Sequence, residues 1–168
     1  IQKLRGRVDI RSERGKGATF SLRLPLTLAL VETLVTCVGE HRFLIPLAAV
    51  REVLKPSAGM LSRLQDRVEV VLVRDKVLPL VRIHRKLRLG GRHRPVEEGL
   101  IVVLEVESQR FCISVDQLLG KEEVVIKSLG HTLAQIRSYA GGAILSDGTV
   151  GLLLEPEELC VLSGSESP

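Results

Sequence analysis

The residues of this 168-residue chain that could do chemistry are few and scattered. Gly15-Lys16-Gly17 is the single candidate for a phosphate-binding loop. A Walker loop needs a glycine five residues ahead of its Gly-Lys pair and a hydroxyl residue after it, so that backbone N–H groups and the hydroxyl meet phosphate and magnesium. Ile10 and Gly17 occupy those positions, and the motif fails. The loop also joins two strand-like runs instead of opening a helix, so no helix dipole faces an anion. Cys37, Cys112 and Cys160 sit in apolar segments with no Cys-x-x-Cys pair, apart in sequence from His41, His84, His93 and His131. They read as buried free thiols of a reducing compartment, not as a zinc site. No Gly-x-Ser-x-Gly elbow occurs, and Asp75 and Asp147 fall on predicted turns. No catalytic, cofactor-binding or metal-ligating residue is assigned, and no cofactor is expected.

The basic run from Arg82 to Arg88, continued by Arg92-His93-Arg94, could meet phosphates of nucleic acid or anionic lipid. Ile83 and Leu87, four apart, make an apolar stripe that leaves the cations on a solvated helix face. Only Phe20, Phe43, Phe111 and Tyr139 are aromatic and there is no Trp, which excludes a base-stacking single-strand binder.

Composition bounds the rest. Hydrophobic residues make up 45% and charged residues 26%, the balance of a globular chain. The length suits one ordinary domain or two very small ones. The longest stretch without Asp, Glu, Lys or Arg is nine residues; spanning a bilayer takes about 20. No membrane insertion and no signal peptide are expected, and the first residue, Ile1, reads as the start of a fragment. Residues 1–94 carry a formal balance of +12 and residues 95–168 one of −8. Such halves point to charge-complementary docking, between them or between neighbouring molecules.

The elements that would position these residues are mostly strands. Leu34 to Val38, a turn at Gly39-Glu40-His41 and Arg42 to Ile45 read as a hairpin. Val68 to Val73 and Val77 to Ile83 flank the polar break Arg74-Asp75-Lys76. Leu100 to Val106 and Arg110 to Ile113 flank a three-residue turn, Glu107-Ser108-Gln109. Ala143 to Leu145 and Val150 to Leu154 flank Ser146-Asp147-Gly148-Thr149, where Asp-Gly suits a tight primed turn. Ile83 to Leu89 and Pro156 to Leu162 read as short helices. Arg42-Phe43-Leu44-Ile45 recurs as Arg110-Phe111-Cys112-Ile113, and Asp75 as Asp147, offsets of 68 and 72. The shared order predicts two tandem copies of about 65 to 70 residues, each a small antiparallel barrel near the lower size limit for a core, packed together and unfolding together. Leu89 to Pro95 reads as their boundary. Residues 7–24 read as a separate hairpin on a Gly-rich loop.

These stretches resemble the C-terminal end of a chemotaxis histidine kinase of the CheA family. Gly15-Lys16-Gly17-Ala18-Thr19-Phe20 is similar to the closing element of its ATPase domain, and Leu24 to Leu30 to the hinge that follows. Phe43 to Val50, Val77 to Ile83, Val115-Asp116-Gln117-Leu118-Leu119-Gly120 through Lys127, and Ala143 to Gly148 are similar to stretches of its CheW-like regulatory domain. The resemblance implies an all-β fold of two tandem SH3-like five-stranded β-barrels with short helices. It divides the chain into an ATPase hairpin at 1–25, a hinge at 26–32 and a regulatory domain at 33–162, with a disordered tail at 163–168. The first barrel would span about 33–90 and the second about 98–155, with terminal strands open to exchange.

It implies no catalysis by this segment, within a parent ATP-dependent histidine kinase. Its implied partners are a CheW-type adaptor, the cytoplasmic tip of chemoreceptors and the other domains of the kinase, in the cytoplasm at membrane receptor arrays, with no nucleic acid. A stand-alone CheW-like adaptor and a basic barrel binding nucleic acid are the alternatives. Leu47, Val50 and Val53 after the first hairpin, and Leu118 and Leu119 after the second, are the candidate docking residues. Arg74-Asp75-Lys76 lacks the glycine common in the family there, and the Gly90-Gly91 linker matches no family motif.

Overall fold

A computed structural model describes residues 7–13, 15, 17–23, 30–57, 59–64, 68–91, 94–127 and 138–161. The expected hinge residues 26–29 and the expected tail 163–168 lie outside these; residues 30–32 already belong to a strand. The class is all-β, as expected. In chain order the strands are β1 (Arg7–Glu13), β2 (Gly17–Arg23), β3 (Leu30–Val38), β4 (His41–Pro46), β5 (Val50–Leu54), β6 (Leu61–Leu64) and β7 (Val68–Val73). They continue as β8 (Lys76–Arg82), β9 (Leu100–Val106), β10 (Gln109–Val115), β11 (Gln117–Val125), β12 (Tyr139–Ile144) and β13 (Val150–Leu154). Two short helices, α1 (Ile83–Lys86) and α2 (Pro156–Val161), follow β8 and β13.

Among the described residues, β1 and β2 pair only with each other, in register from Arg7–Arg23 to Glu13–Gly17. The remaining strands form a six-stranded sheet, β5-β9-β10-β8-β7-β6, and a five-stranded sheet, β11-β3-β4-β13-β12. Five strands per sheet thus holds for one of the two. Among the described residues, the edges next to β11 and β12 meet at a single bridge, Lys127 with Gly142 (N···O 2.8 and 3.0 Å), and not along a continuous ladder. Gly141 makes that approach feasible: a Cβ there would lie 2.5 Å from Ile126 Cγ2 and 2.9 Å from the Lys127 carbonyl oxygen.

The sheets cut across the repeat. The 68-residue offset survives in the hairpins, where Thr36 pairs with Phe43 and Leu104 with Phe111. Yet β4 of the first copy runs parallel to β13 of the second, and β10 of the second runs parallel to β8 of the first. Each copy therefore places its leading hairpin in the other's sheet. Residues 50–115 supply the whole six-stranded sheet, and the segments on either side close around them as the five-stranded one.

Strand alternation sends successive side chains of each leading hairpin to opposite faces. Val35 and Leu44 enter a cluster with Val124, Ala143, Leu145 and Leu153 inside the five-stranded sheet. Ile101, Val103 and Cys112 enter a second with Val71, Val73, Leu78 and Leu80 inside the six-stranded sheet. The other faces meet between the sheets: Leu34, Val38, Phe43 and Ile45 pack with Val102, Leu104, Phe111, Ile113, Val81, Ile83, Leu154 and Leu159. Phe43 and Phe111 are fully buried there, and Tyr139 stacks on Phe43 at 6.4 Å between ring centroids.

Three turns are one residue tighter than expected, the first of them Gly39-Glu40 between the paired Val38 and His41. Arg74 and Asp75 (φ 44° and 66°) form a two-residue primed turn between the paired Val73 and Lys76. Glu107 and Ser108 (φ 47° and 71°) do the same between Val106 and Gln109, so the expected three-residue turn is one residue shorter. Residues without glycine hold this left-handed backbone because primed turns match the right-handed twist of the strands. At Asp147-Gly148 the turn is tight but not primed: the Gly148 N–H donates to the Leu145 carbonyl (2.9 Å), the Leu145 N–H donates to the Thr149 carbonyl (2.8 Å), and of residues 145–149 Gly148 alone has a positive φ (81°). Side chains brace that turn. The Asp147 carboxylate accepts from the Thr149 N–H (2.9 Å) and hydroxyl (2.6 Å), and Glu122 accepts from the Ser146 N–H (3.0 Å) and hydroxyl (2.9 Å). α1 ends at Lys86 rather than running to Leu89, because Arg88 turns left-handed (φ 51°).

A shared core predicts shared stability. Phe111→Ala should cost about 3–5 kcal/mol, and the near-UV signal of Tyr139, in the other sheet, should be lost together with far-UV circular dichroism in urea. Two separate transitions would contradict the shared core.

Candidate functional site

No three His, Cys, Asp or Glu side chains come together to hold a metal among the described residues. Of the three cysteines expected to be buried, Cys112 is, while Cys37 and Cys160 are half-buried. Cys112 is fully buried, and desolvation, with Glu52 nearby, pushes its thiol up to about 12. Burial, with Glu107 nearby, raises the Cys160 thiol. Neither is poised as a nucleophile, since the thiolate is the reactive form.

Of the five candidate docking residues, three join the core. Leu47, Val50 and Val53 are half-buried against the shared cluster between the sheets. Leu118 and Leu119 are 40% and 46% exposed. Strict alternation would turn one of two consecutive leucines inward, but a β-bulge interrupts the β11–β3 register between Leu118 and Gly120 and leaves Leu119 unpaired. Gly120 adopts φ 145°, a conformation a side chain rarely takes. The bulge and its glycine thus present both leucines to solvent. Leu47 shares a shallow groove with Glu32, Lys121, Glu122 and Glu123 of the same region, while Val50 and Val53 lie on the other sheet.

Sequence reasoning missed two further apolar surfaces. At the tip of β7–β8, Leu72 and Val77 are directly cross-strand and 46% and 58% exposed. The cross-strand pair Leu64 and Val68, on β6 and β7, extends the same face and is also exposed. At the tip of β12–β13, Ile144 and Val150 are cross-strand and 64% and 62% exposed. The 72-residue offset that aligns Asp75 with Asp147 also aligns Leu72 with Ile144, so the tips are repeat-equivalent. That offset was the available signal.

Charge surrounds these tips unevenly. Among the described residues, 50–115 carry a balance of +4, while 30–49 with 116–161 carry −6, so the contrast between halves persists between the sheets. In the basic sheet, Glu69 lies at the centre of three arginines. Arg82 holds it through Nε and Nη2 (2.9 Å for the latter), Arg63 reaches it at 3.3 Å and Arg85 at 3.7 Å. Burial pushes the Glu69 carboxyl up, but the arginines outweigh it, Arg82 most, and hold the group below the ordinary 4.5. The expected solvated face of the basic run is thus partly tied down, with Arg82 mostly covered and Arg85 exposed. In the acidic sheet, Arg42 pairs with Asp147 at 3.4 Å. Burial and the neighbouring Glu157 and Glu158 raise the Glu155 carboxyl beside α2.

The family model of the CheW-like domain matches residues 32–162, and the chain belongs to that family. It is 34% identical over 163 residues to the chemotaxis protein CheA of Klebsiella aerogenes, covering 97% of this chain and 25% of that protein. It is 36% identical over 155 residues to the sensor histidine kinase CheAY of Helicobacter pylori, covering 92% of this chain and 19% of that one. The chain thus spans about a quarter or less of the length of these relatives. The scaffolding protein TtCheW of Thermoanaerobacter tengcongensis shares the fold, with a TM-score of 0.63 and 17% identity over 75% of this chain and 89% of that one.

A carboxylate whose pKa is lowered by folding stabilises the fold above its unfolded value, and that contribution is lost as pH falls through the folded value. Stability should therefore decline on acidification below the ordinary 4.5 of Glu69. Glu69→Gln should flatten that decline, measured as urea midpoints across the acid range. An unchanged slope would remove Glu69 from the acid response. Gly120→Ala should cost about 1–2 kcal/mol in the same assay, because alanine is strained at this φ.

Proposed function

We propose that this chain is the regulatory segment of a chemotaxis-type sensor histidine kinase. It performs no chemistry itself and couples the kinase to receptors and to a CheW-type adaptor in signalling arrays. The parent chain supplies ATP-dependent phosphorylation, and the hairpin β1–β2 is the last element of its ATPase domain. Residues from about 33 to 162 are the docking unit, in the cytoplasm beside membrane receptors. The partners are the adaptor, the cytoplasmic tip of the chemoreceptor and the remaining kinase domains.

The observation that carries this reading is the pair of exposed apolar tips, Leu72 with Val77 and Ile144 with Val150, on a chain of this family. Contiguous apolar side chains at a sheet surface mark an interaction site more often than scattered ones. They stand at the ends of two rigid sheets, so contacts at both tips can be made at once by different neighbours. Leu118 and Leu119, raised by their bulge, offer a third surface for the receptor.

Calorimetry against a CheW-type adaptor tests the reading. Binding should be of about micromolar strength and change less than about threefold between 50 and 500 mM salt, because an apolar contact releases few counterions. Val77→Asp should weaken it by at least about tenfold, as loss of an apolar anchor does. No binding by the folded chain would defeat the proposal. Tight binding to duplex DNA that collapses with salt would instead favour the nucleic-acid alternative.

A further inference from the structure

We propose that the arginines around Glu69 form a docking site for an acidic segment of a partner protein. Glu69 is the second residue of β7 and Arg82 the last of β8, so the cluster stands at the far end of that strand pair from the Arg74-Asp75 turn. Arg63 joins from the cross-strand position on β6 and Arg85 from α1. Arg82 alone satisfies Glu69, because its Nε and Nη2 meet both carboxylate oxygens. Arg63 and Arg85 are surplus to that need. Each brings one nitrogen to the same Glu69 oxygen, Oε1, at 3.3 and 3.7 Å, so two like charges are held side by side. Both are 60% exposed, whereas Glu69 and Arg82 are mostly covered. One carboxylate does not neutralise three guanidiniums, and an anion arriving from solvent relieves the remaining repulsion. A guanidinium carries five N–H donors, and Glu69 engages one nitrogen of each exposed arginine, which leaves most donors for that anion. Glu69 also fixes both forks in advance, which lowers the ordering cost of binding.

The surroundings select an acidic protein segment over other anions. Two exposed forks span one or two carboxylates, not the row of phosphates that a duplex presents. The rings that would stack bases, Phe43 and Phe111, are sealed in the core. α1 turns its apolar side to the protein, with Ile83 and Leu87 packed in the shared core, so it offers no apolar face to a bilayer. A planar carboxylate matches a guanidinium fork bidentately, as Glu69 already does on Arg82. Lys86 and the exposed Arg88 extend the positive field along the same segment, which steers an acidic chain toward it. Around Glu105, by contrast, Arg51 and Arg110 meet that carboxylate with the exposed Glu107 two residues along, and no cationic surplus results.

Fluorescence anisotropy of the 168-residue chain with a fluorescein-labelled peptide of alternating glutamate and glycine, at about 50 mM salt, tests this. The peptide should bind, and Arg63→Ala with Arg85→Ala should weaken binding at least about tenfold, with unchanged circular dichroism. Arg51→Ala with Arg110→Ala removes the same charge around Glu105 and should change binding less than about twofold. Arg63→Lys with Arg85→Lys keeps the charge but not the fork, and should still weaken binding at least about threefold. Amide shifts induced by the peptide should centre on Arg63, Glu69 and Arg85. Overturning results are no binding by the folded chain, an equal loss in both alanine pairs, or undiminished binding in the lysine variant. Tighter binding to a short DNA duplex or to phosphatidylserine vesicles, lost in Arg63→Ala with Arg85→Ala, would also overturn it. A chain that binds the adaptor but not this peptide overturns this inference and leaves the proposed function standing.

Discussion

The structure depends on one constraint: the core between the sheets is made from the outer faces of two exchanged hairpins. Phe43 and Phe111 occupy repeat-equivalent places in it, each on a hairpin that completes the sheet of the other copy. Neither sheet can be lifted away without exposing that core, and neither copy can form its sheet from its own residues alone. Two units that would be marginal alone are thereby made one. The order of the chain enforces this. Residues 50–115 return to the place they left, so β11 pairs with β3 and continues the outer sheet as though the inner one were an insertion.

The exposed tips follow from the same arrangement. The outer faces of β8 and β13 begin as walls of the shared core, at Val81 and Leu154, and the strand pairs they belong to run on beyond the cover of the opposite sheet. Alternation keeps an apolar side chain on that face to the end, at Val77 and Val150. The tips are core surface left uncovered, and the short turns that cap them keep them stiff. A rigid apolar surface binds without paying the ordering entropy of a flexible one.

Much of this was legible in the sequence, for identifiable reasons. The hairpins announced themselves through alternation and polar turns, and the recurrence of Arg-Phe-x-Ile fixed their equivalence, which the register at Phe43 and Phe111 reproduces. What sequence could not supply was the assignment of hairpins to sheets. Alternation states that Phe43 and Leu44 face opposite ways; it does not state which neighbour each face meets. The deciding contacts are parallel pairings such as Leu152 with Phe43, more than a hundred residues apart. The candidate docking residues differ in exposure. Val50 and Val53 lie half-buried against the shared core, while the double leucine before Gly120 is turned out by its bulge. Leu72 and Val77 lay in runs so uniformly apolar that exposure left no local mark.

Amide hydrogen exchange of the chain, free and saturated with a CheW-type adaptor, tests most directly the claim that the uncovered ends of the two sheets are its working surfaces. The account predicts new protection concentrated at the tip of β7–β8, the tip of β12–β13, or both, with the shared core unchanged. Protection confined to the basic run around α1 or to the hairpin β1–β2, with both tips exchanging as in the free chain, would contradict it.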